Sequence, residues 1–277
     1  MKSKATLYPN IQFLRAISVL LVFFYHLKLD FFEIGYIGVD IFFLISGYVI
    51  TSRLYNEYIN TNNINFLSFY TRRIKRIFPV LFFILTIVFL FIIFFQPLDL
   101  FFDNLYVYFF TIFGASNIYY LLSEKDYFDN VFDDVFGHTW SLGVEEQFYL
   151  VFPLFLFLVV TLFKKKTIQS LILFLFIIIG ILITVKYSEE IKIIFYSPFF
   201  RFWQFLIGCL TYIIFHNNKN KNSIISTCSF IILFLIIIFD YFNNNLITII
   251  FSTILAAAFI LFYDKKNNHK FIFENKF

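Results

Sequence analysis

An all-α polytopic membrane protein is predicted by three observations. The 277-residue chain is 60% hydrophobic, above the roughly 45–50% of a soluble domain. Only 14% of it is charged, where a soluble domain carries about 25%, and mean hydropathy is +0.81. The apolar residues also gather into stretches long enough, or nearly so, to cross a bilayer.

These stretches are 12–29, 34–51, 78–95, 104–122, 148–163, 167–185, 193–214, 224–240 and 246–263. Lysine and arginine orient them, because both concentrate on the cytoplasmic side. The first stretch follows Lys2 and Lys4, which predicts a cytoplasmic N-terminus. Arg15 interrupts its approach and His26-Leu27-Lys28-Leu29-Asp30 is no small-residue cleavage site, so no cleaved signal peptide is expected. The second stretch returns to Arg53 and then, past an Asn-rich loop at 55–65, to Arg72, Arg73, Lys75 and Arg76. After the fifth, Lys164-Lys165-Lys166 reads as inside; after the sixth, Ser188-Glu189-Glu190 reads as outside. Lys219 and Lys221 in the loop 216–222 read as inside, Asn243-Asn244-Asn245 as outside, and Lys265-Lys266 as inside.

Parity then conflicts with the start. Five complete crossings from inside would put the triple lysine outside, so one of the first five stretches does not cross. The choice falls on 104–122, or a re-entrant turn nearby, because Asp103, Asn104, Gly114, Ser116 and Asn117 lie there. Irregular backbone at membrane depth is tolerated only inside protein or beside a wet cavity. About eight transmembrane helices plus one re-entrant or partial segment are therefore expected, in one transmembrane domain covering 1–277. No internal repeat is visible, which counts against a repeat-built transporter. The net charge of +4 is scattered over loops, so no nucleic-acid partner is expected. Cys209 and Cys228 have no metal-type spacing and read as ordinary buried thiols, with no metal site.

Ionisable groups inside lipid are expensive and usually functional. Arg15 and His26 lie eleven residues apart, close to three helical turns, so they share a helix face about 16 Å apart along the axis. Such a pair can hold an anion at one place and do proton chemistry at the other. Arg15 also suits an interfacial snorkelling role, and His26 a hydrogen bond to a neighbouring helix. Asp40, inside the second stretch, needs a partner; His26 or an arginine from another helix is the natural one, and Asp40 could then orient the imidazole. Ser46-Gly47 offers a small surface for close helix packing. Arg72, Arg73, Lys75 and Arg76 are a positive-inside signal or a phosphate grip, with Arg73 and Arg76 on one face. The run 137–149 brings His138, Trp140, Ser141, Glu145, Glu146 and Gln147 into a short approach to a membrane helix. Its two glutamates point apart on a helix and do not form a paired-carboxylate site. Arg201, in an apolar segment, should face a carboxylate or a substrate anion.

Together these residues resemble the acyltransferase-3 family of integral-membrane O-acyltransferases. The match is Phe13-Leu14-Arg15-Ala16 with His26, then 38–48, 69–79 and 138–149 in the family's order, with a weaker match over Arg201 to Gly208. The resemblance implies transfer of an acetyl or other acyl group from cytoplasmic acyl-CoA to a hydroxyl of a cell-surface glycan or lipid-linked saccharide. Acetyl-CoA is then a co-substrate, and no permanently bound cofactor is implied. Lipopolysaccharide, peptidoglycan, capsule, exopolysaccharide and small glycosides are all candidate acceptors. By position, Arg15 and His26 fall on the family's essential arginine–histidine pair. Arg73 and Arg76, with Arg72 beside them, fall on the arginines expected to meet the donor, and Trp140, Ser141 and Glu145 on its tryptophan–serine–glutamate motif. His26 is then a general base or a transient acyl carrier. The family usually continues with a further Ser-Tyr-type segment and a last helix, so the ending at Glu274-Asn275-Lys276-Phe277 implies two missing helices. The implied location is the inner (plasma) membrane. Two other readings use the same residues: a proton-coupled or anion transporter, and an inactive truncated fragment.

Overall fold

A computed structural model describes residues 9–123, 135–215, 222–239 and 245–263. Among the described residues the fold is all-helical, with no strand. Its helices are α1 (Pro9–His26), α2 (Ile37–Thr61), α3 (Phe66–Phe95), α4 (Leu98–Ile112), α5 (Ser116–Leu122), α6 (Trp140–Leu162), α7 (Lys166–Lys186), α8 (Ile191–Tyr196), α9 (Phe202–Phe215), α10 (Ser223–Phe239) and α11 (Asn245–Phe262). Five stretches among the described residues are long and apolar enough to span a membrane: α2, α3, Gly137–Leu162, α7 and α11. Apolar but shorter are Leu100–Ile112, Phe202–Ile214 and Ser223–Ile237. The chain is a multi-pass membrane protein. The orienting residues Lys2, Lys4, Lys219, Lys221, Asn243, Asn244, Lys265 and Lys266, and the ending at 274–277, lie outside the described residues.

The helices differ from the apolar stretches in two ways. Several run past them. α2 continues to Thr61 and α3 starts at Phe66, so the expected loop 55–65 shrinks to 62–65. Asn65 caps α3 by accepting from the Ser68 backbone N–H at 2.9 Å, and its own N–H donates to Glu57 Oε1. α6 starts at Trp140, so Trp140, Ser141 and Glu145 stand on a membrane-length helix rather than on an approach to one. Two other stretches break. The fourth divides into α4 and α5 at Phe113-Gly114-Ala115, where Gly114 has a φ of +63° that side chains rarely adopt. The seventh divides into α8 and α9 at Ser197-Pro198, because proline carries no N–H to continue the ladder and holds Ser197 extended.

Contacts divide the chain into two units. The first covers Met1–Arg53, Phe163–Val185 and Trp203–Phe277. In its core Ile11, Leu14 and Leu21 of α1 pack with Ile37, Ile41 and Leu44 of α2 and with Ala256, Phe259 and Ile260 of α11. α10 and α11 form a hairpin, and the Ser226 hydroxyl donates to the Phe259 carbonyl at 3.2 Å. Small buried side chains such as Ser226, Thr248 and Ser252 let these helices approach closely. The second unit covers Leu54–Leu162 and Lys186–Phe202. Here α5 packs on α6 and α8, and α3 on α4. Long stretches of α3, among them Phe83, Phe94 and Phe95, remain exposed, as a lipid-facing surface does.

Candidate active site

In the first unit, α1 is one uninterrupted helix from Pro9 to His26, so the shared face of Arg15 and His26 is real. Both are half-buried. The buried face of α1 carries Ile11, Leu14, Ser18 and Leu21, and the helical period places Arg15 and His26 along one edge of it. Arg15 has no hydrogen-bond or carboxylate partner among the described residues. His26 is the last residue of the helix, with its ring 5.5 Å from that of Tyr25. The chain then turns through Lys28 at a φ of 52°.

Asp40 sits in the first turn of α2 and is 2% exposed. Gln204 of α9, 1% exposed, donates from Nε2 to Asp40 Oδ1 at 2.9 Å. A polar residue inside an apolar run was the signal for Gln204, but nothing in the sequence pairs it with a residue 164 positions away. One turn further on, α2 and α9 cross backbone to backbone. A Cβ on Gly47 would overlap the Phe205 carbonyl, and one on Gly208 would overlap the Leu44 carbonyl. The packing role expected of Ser46-Gly47 is thus met by Gly47. Cys209 is buried beside the Gly47 carbonyl, 3.6 Å away, whereas Cys228 is exposed on α10 rather than buried.

In the second unit the basic run occupies the first turns of α3. Arg72 is exposed, pairs with Glu57 at 3.7 Å and also contacts the Ser68 hydroxyl. Arg73 is drawn inward. Its guanidinium lies 4.1 Å from the centre of the Tyr149 ring and 5.8 Å from that of Phe69. The Tyr149 hydroxyl donates to Glu145 Oε1, and Glu145 acts electrostatically on Arg73. Arg76 remains exposed. Arg73 and Arg76 therefore do not present equally: protein covers one and leaves the other open.

Trp140, 2% exposed, packs on Phe195 with ring centres 4.3 Å apart and planes tilted by 42°, and meets Tyr196 edge-on. Arg201 lies over both Trp140 and Phe195, at 5.6 and 5.0 Å, and its Nε donates to the Phe195 carbonyl at 3.1 Å. The partners seen for Arg201 are thus aromatic faces and a backbone oxygen. The Ser141 hydroxyl donates to the His138 carbonyl at 3.3 Å. Glu145 and Glu146 do point apart: Glu145 to Tyr149, Glu146 to Gly114.

Both helix breaks of this unit meet at one amide pair the sequence did not announce. Gln147 Nε2 donates to Asn117 Oδ1 at 2.8 Å and to the Gly114 carbonyl at 3.1 Å. Asn117 Nδ2 returns a bond to Gln147 Oε1 at 3.3 Å and donates to the Tyr196 carbonyl at 3.1 Å. Side-chain amides thereby reach carbonyls at or beside the two breaks.

The family described as "Acyltransferase domain" matches residues 8–273. The chain is 35% identical over 204 residues to O-acetyltransferase OatA of Staphylococcus aureus strain NCTC 8325, an alignment covering 73% of this chain and 34% of that protein. O-acetyltransferase OatA of Staphylococcus aureus strain COL matches to the same extent. The aligned region spans about a third of the length of these relatives. No solved structure matches the chain. A family match that runs from residue 8 to residue 273 makes this chain a member of the acyltransferase-3 family, as its motifs led us to expect.

Proposed function

We propose that the chain is an O-acetyltransferase of the inner membrane, moving an acetyl group from cytoplasmic acetyl-CoA to a hydroxyl of a cell-surface glycan or lipid-linked saccharide. The observation that carries this reading is the near full-length family match, together with relatives named as O-acetyltransferases. The separation of Arg15 and His26 along α1, about 16 Å or three turns, gives the two residues different tasks. His26 takes the proton from the acceptor hydroxyl, and the oxygen attacks the thioester carbonyl. The C–S bond breaks and the CoA thiolate takes the proton back from the imidazolium, so His26 ends as it began. Asp40, in the first turn of α2, helps to orient the imidazole. Arg15, half-buried without a partner among the described residues, holds an anionic group of a substrate. Arg76 and Arg72 meet CoA phosphates from the exposed face of α3, while Arg73 holds α3 to Tyr149 and Glu145. Eight crossings accompany this reading, with the α4–α5 stretch as the one that turns back.

Membranes from cells expressing the protein, supplied with [14C]acetyl-CoA, should place base-labile label on envelope glycan. His26→Ala should lower that labelling by about 10²-fold or more, the range of a lost general base, and Arg15→Ala should lower it too. Unchanged labelling in both variants would overturn the mechanism. Uptake of label without ester formation would favour a transporter. An acyl-histidine trapped by acid quench would make His26 the acyl carrier instead of the base.

A further inference from the structure

We infer that Gln204 is a positioning residue for Asp40, and through it for the acyl-transfer chemistry proposed above, on which this inference rests. An ionised carboxylate only accepts, so the amide must turn its NH2 toward Asp40; the 2.9 Å bond from Nε2 to Oδ1 is that arrangement. The orientation strands the other end. Gln204 Oε1 is buried with no hydrogen-bond partner among the described residues. A buried acceptor left unmade is costly. An amide retained for packing alone would be replaced without loss by an apolar side chain of its size. This one gives its donor to a carboxylate and leaves its oxygen unmet.

The surroundings fix that bond in place. Asp40 lies one helical turn before Leu44, and Gln204 one turn before Gly208, so the pair sits directly beside the α2–α9 backbone crossing. Phe43, three residues after Asp40, and Phe205, next after Gln204, stack with ring centres 4.5 Å apart and planes 20° from parallel. Neither helix can slide without separating the two glycines from the opposing carbonyls. Two residues before Asp40, Gly38 lies against the Ser18 carbonyl of α1, the helix that carries Arg15 and His26. Gln204 therefore holds the Asp40 carboxylate in one orientation at the base of the α1–α2 contact. The weaker family match over Arg201 to Gly208 thereby gains a task.

The test uses the full chain in membranes, with [14C]acetyl-CoA as the probe and base-labile envelope acetate as the readout. Gln204→Met keeps volume and removes the donor. Its Vmax should fall about 10²-fold, the scale of a misplaced reacting group, with the apparent KM for acetyl-CoA unchanged. Asp40→Asn should be equally slow, and the double variant no slower than Asp40→Asn alone, because the two act as one unit. The exchange Asp40→Asn/Gln204→Glu keeps a hydrogen bond and the net charge with donor and acceptor reversed. It should restore thermal stability in detergent but not turnover. Turnover restored by the exchange, or wild-type Vmax in Gln204→Met, would overturn the inference and leave the bond as a helix brace. The two proposals fail separately. Asp40→Asn at wild-type Vmax sinks the role of Asp40 itself, whereas a slow Asp40→Asn beside a fast Gln204→Met sinks only that of Gln204.

Discussion

Gln147 and Gln204 are chemically identical side chains at the heart of the two units, and they are used in opposite ways. Gln147 donates to Asn117 and to the Gly114 carbonyl and accepts from Asn117, so both ends of its amide are met. Its partners are another amide and a backbone carbonyl at a helix break. Gln204 spends its donor on a carboxylate and leaves its oxygen without a partner among the described residues. The first arrangement caps carbonyls at broken backbone; the second binds a buried carboxyl group. The difference separates a polar group that stabilises a fold from one that the fold supports. A fully satisfied network rigidifies and specifies the core around it, whereas a buried acceptor left unmet calls for a separate explanation.

The comparison breaks most readily at the crossing that supports Gln204. Gly47→Leu drives a side chain into the Phe205 backbone and should cost about 3 kcal/mol or more, the upper range of overpacking. Loss of monodisperse protein in detergent is the check. Next comes Gln147→Leu, which strands the Gly114 carbonyl and half of the Asn117 amide. A cost of about 3 kcal/mol is expected for two buried polar groups left unmade, read as a lowered unfolding temperature. Gln204→Met should cost less, about 1.5 kcal/mol, since it removes an unmet oxygen together with the made bond. A larger thermal loss in Gln204→Met than in Gln147→Leu would reverse the comparison. The smallest effect belongs to Arg72→Gln. Its pair with Glu57 spans 3.7 Å between an exposed guanidinium and a half-buried carboxylate, so stability should change by no more than about 1 kcal/mol.

How much of this could be read from the sequence depends on what each feature leaves in it. Arg15, His26 and Asp40 stood out because a charge among apolar residues contrasts with its neighbours. The helix ends did not. Hydropathy falls where a helix leaves lipid, but its hydrogen-bond ladder continues, so α2 reaches Thr61, α3 begins at Phe66 and α6 begins at Trp140. Pro198 carried a breaking signal that a window of mean hydropathy smoothed over. Gly114 was suspected within an expected irregular stretch, and its positive φ is the local reason the helix ends there. The Asp40–Gln204 and Asn117–Gln147 bonds were not legible, because they join residues that only the folded chain brings together. The exposure difference between Arg73 and Arg76 was hidden for the same reason: it depends on Tyr149, from another helix.

The length of α3 has a consequence for where water begins. Thirty residues make a helix about 45 Å long, while the hydrocarbon layer is about 30 Å thick. Pro79 lies inside this helix and deprives the Lys75 carbonyl of its helical donor. That bare carbonyl is inexpensive in headgroups and costly in acyl chains. The waterline along α3 therefore falls close to Pro79, and the exposed cations Arg72, Lys75 and Arg76 stand at headgroup level, while Arg73 stays turned into the protein. On the function proposed above, a phosphate-bearing donor would displace anionic lipid from Arg72, Lys75 and Arg76 instead of meeting bare charge, so lipid composition and ionic strength would both tune its access.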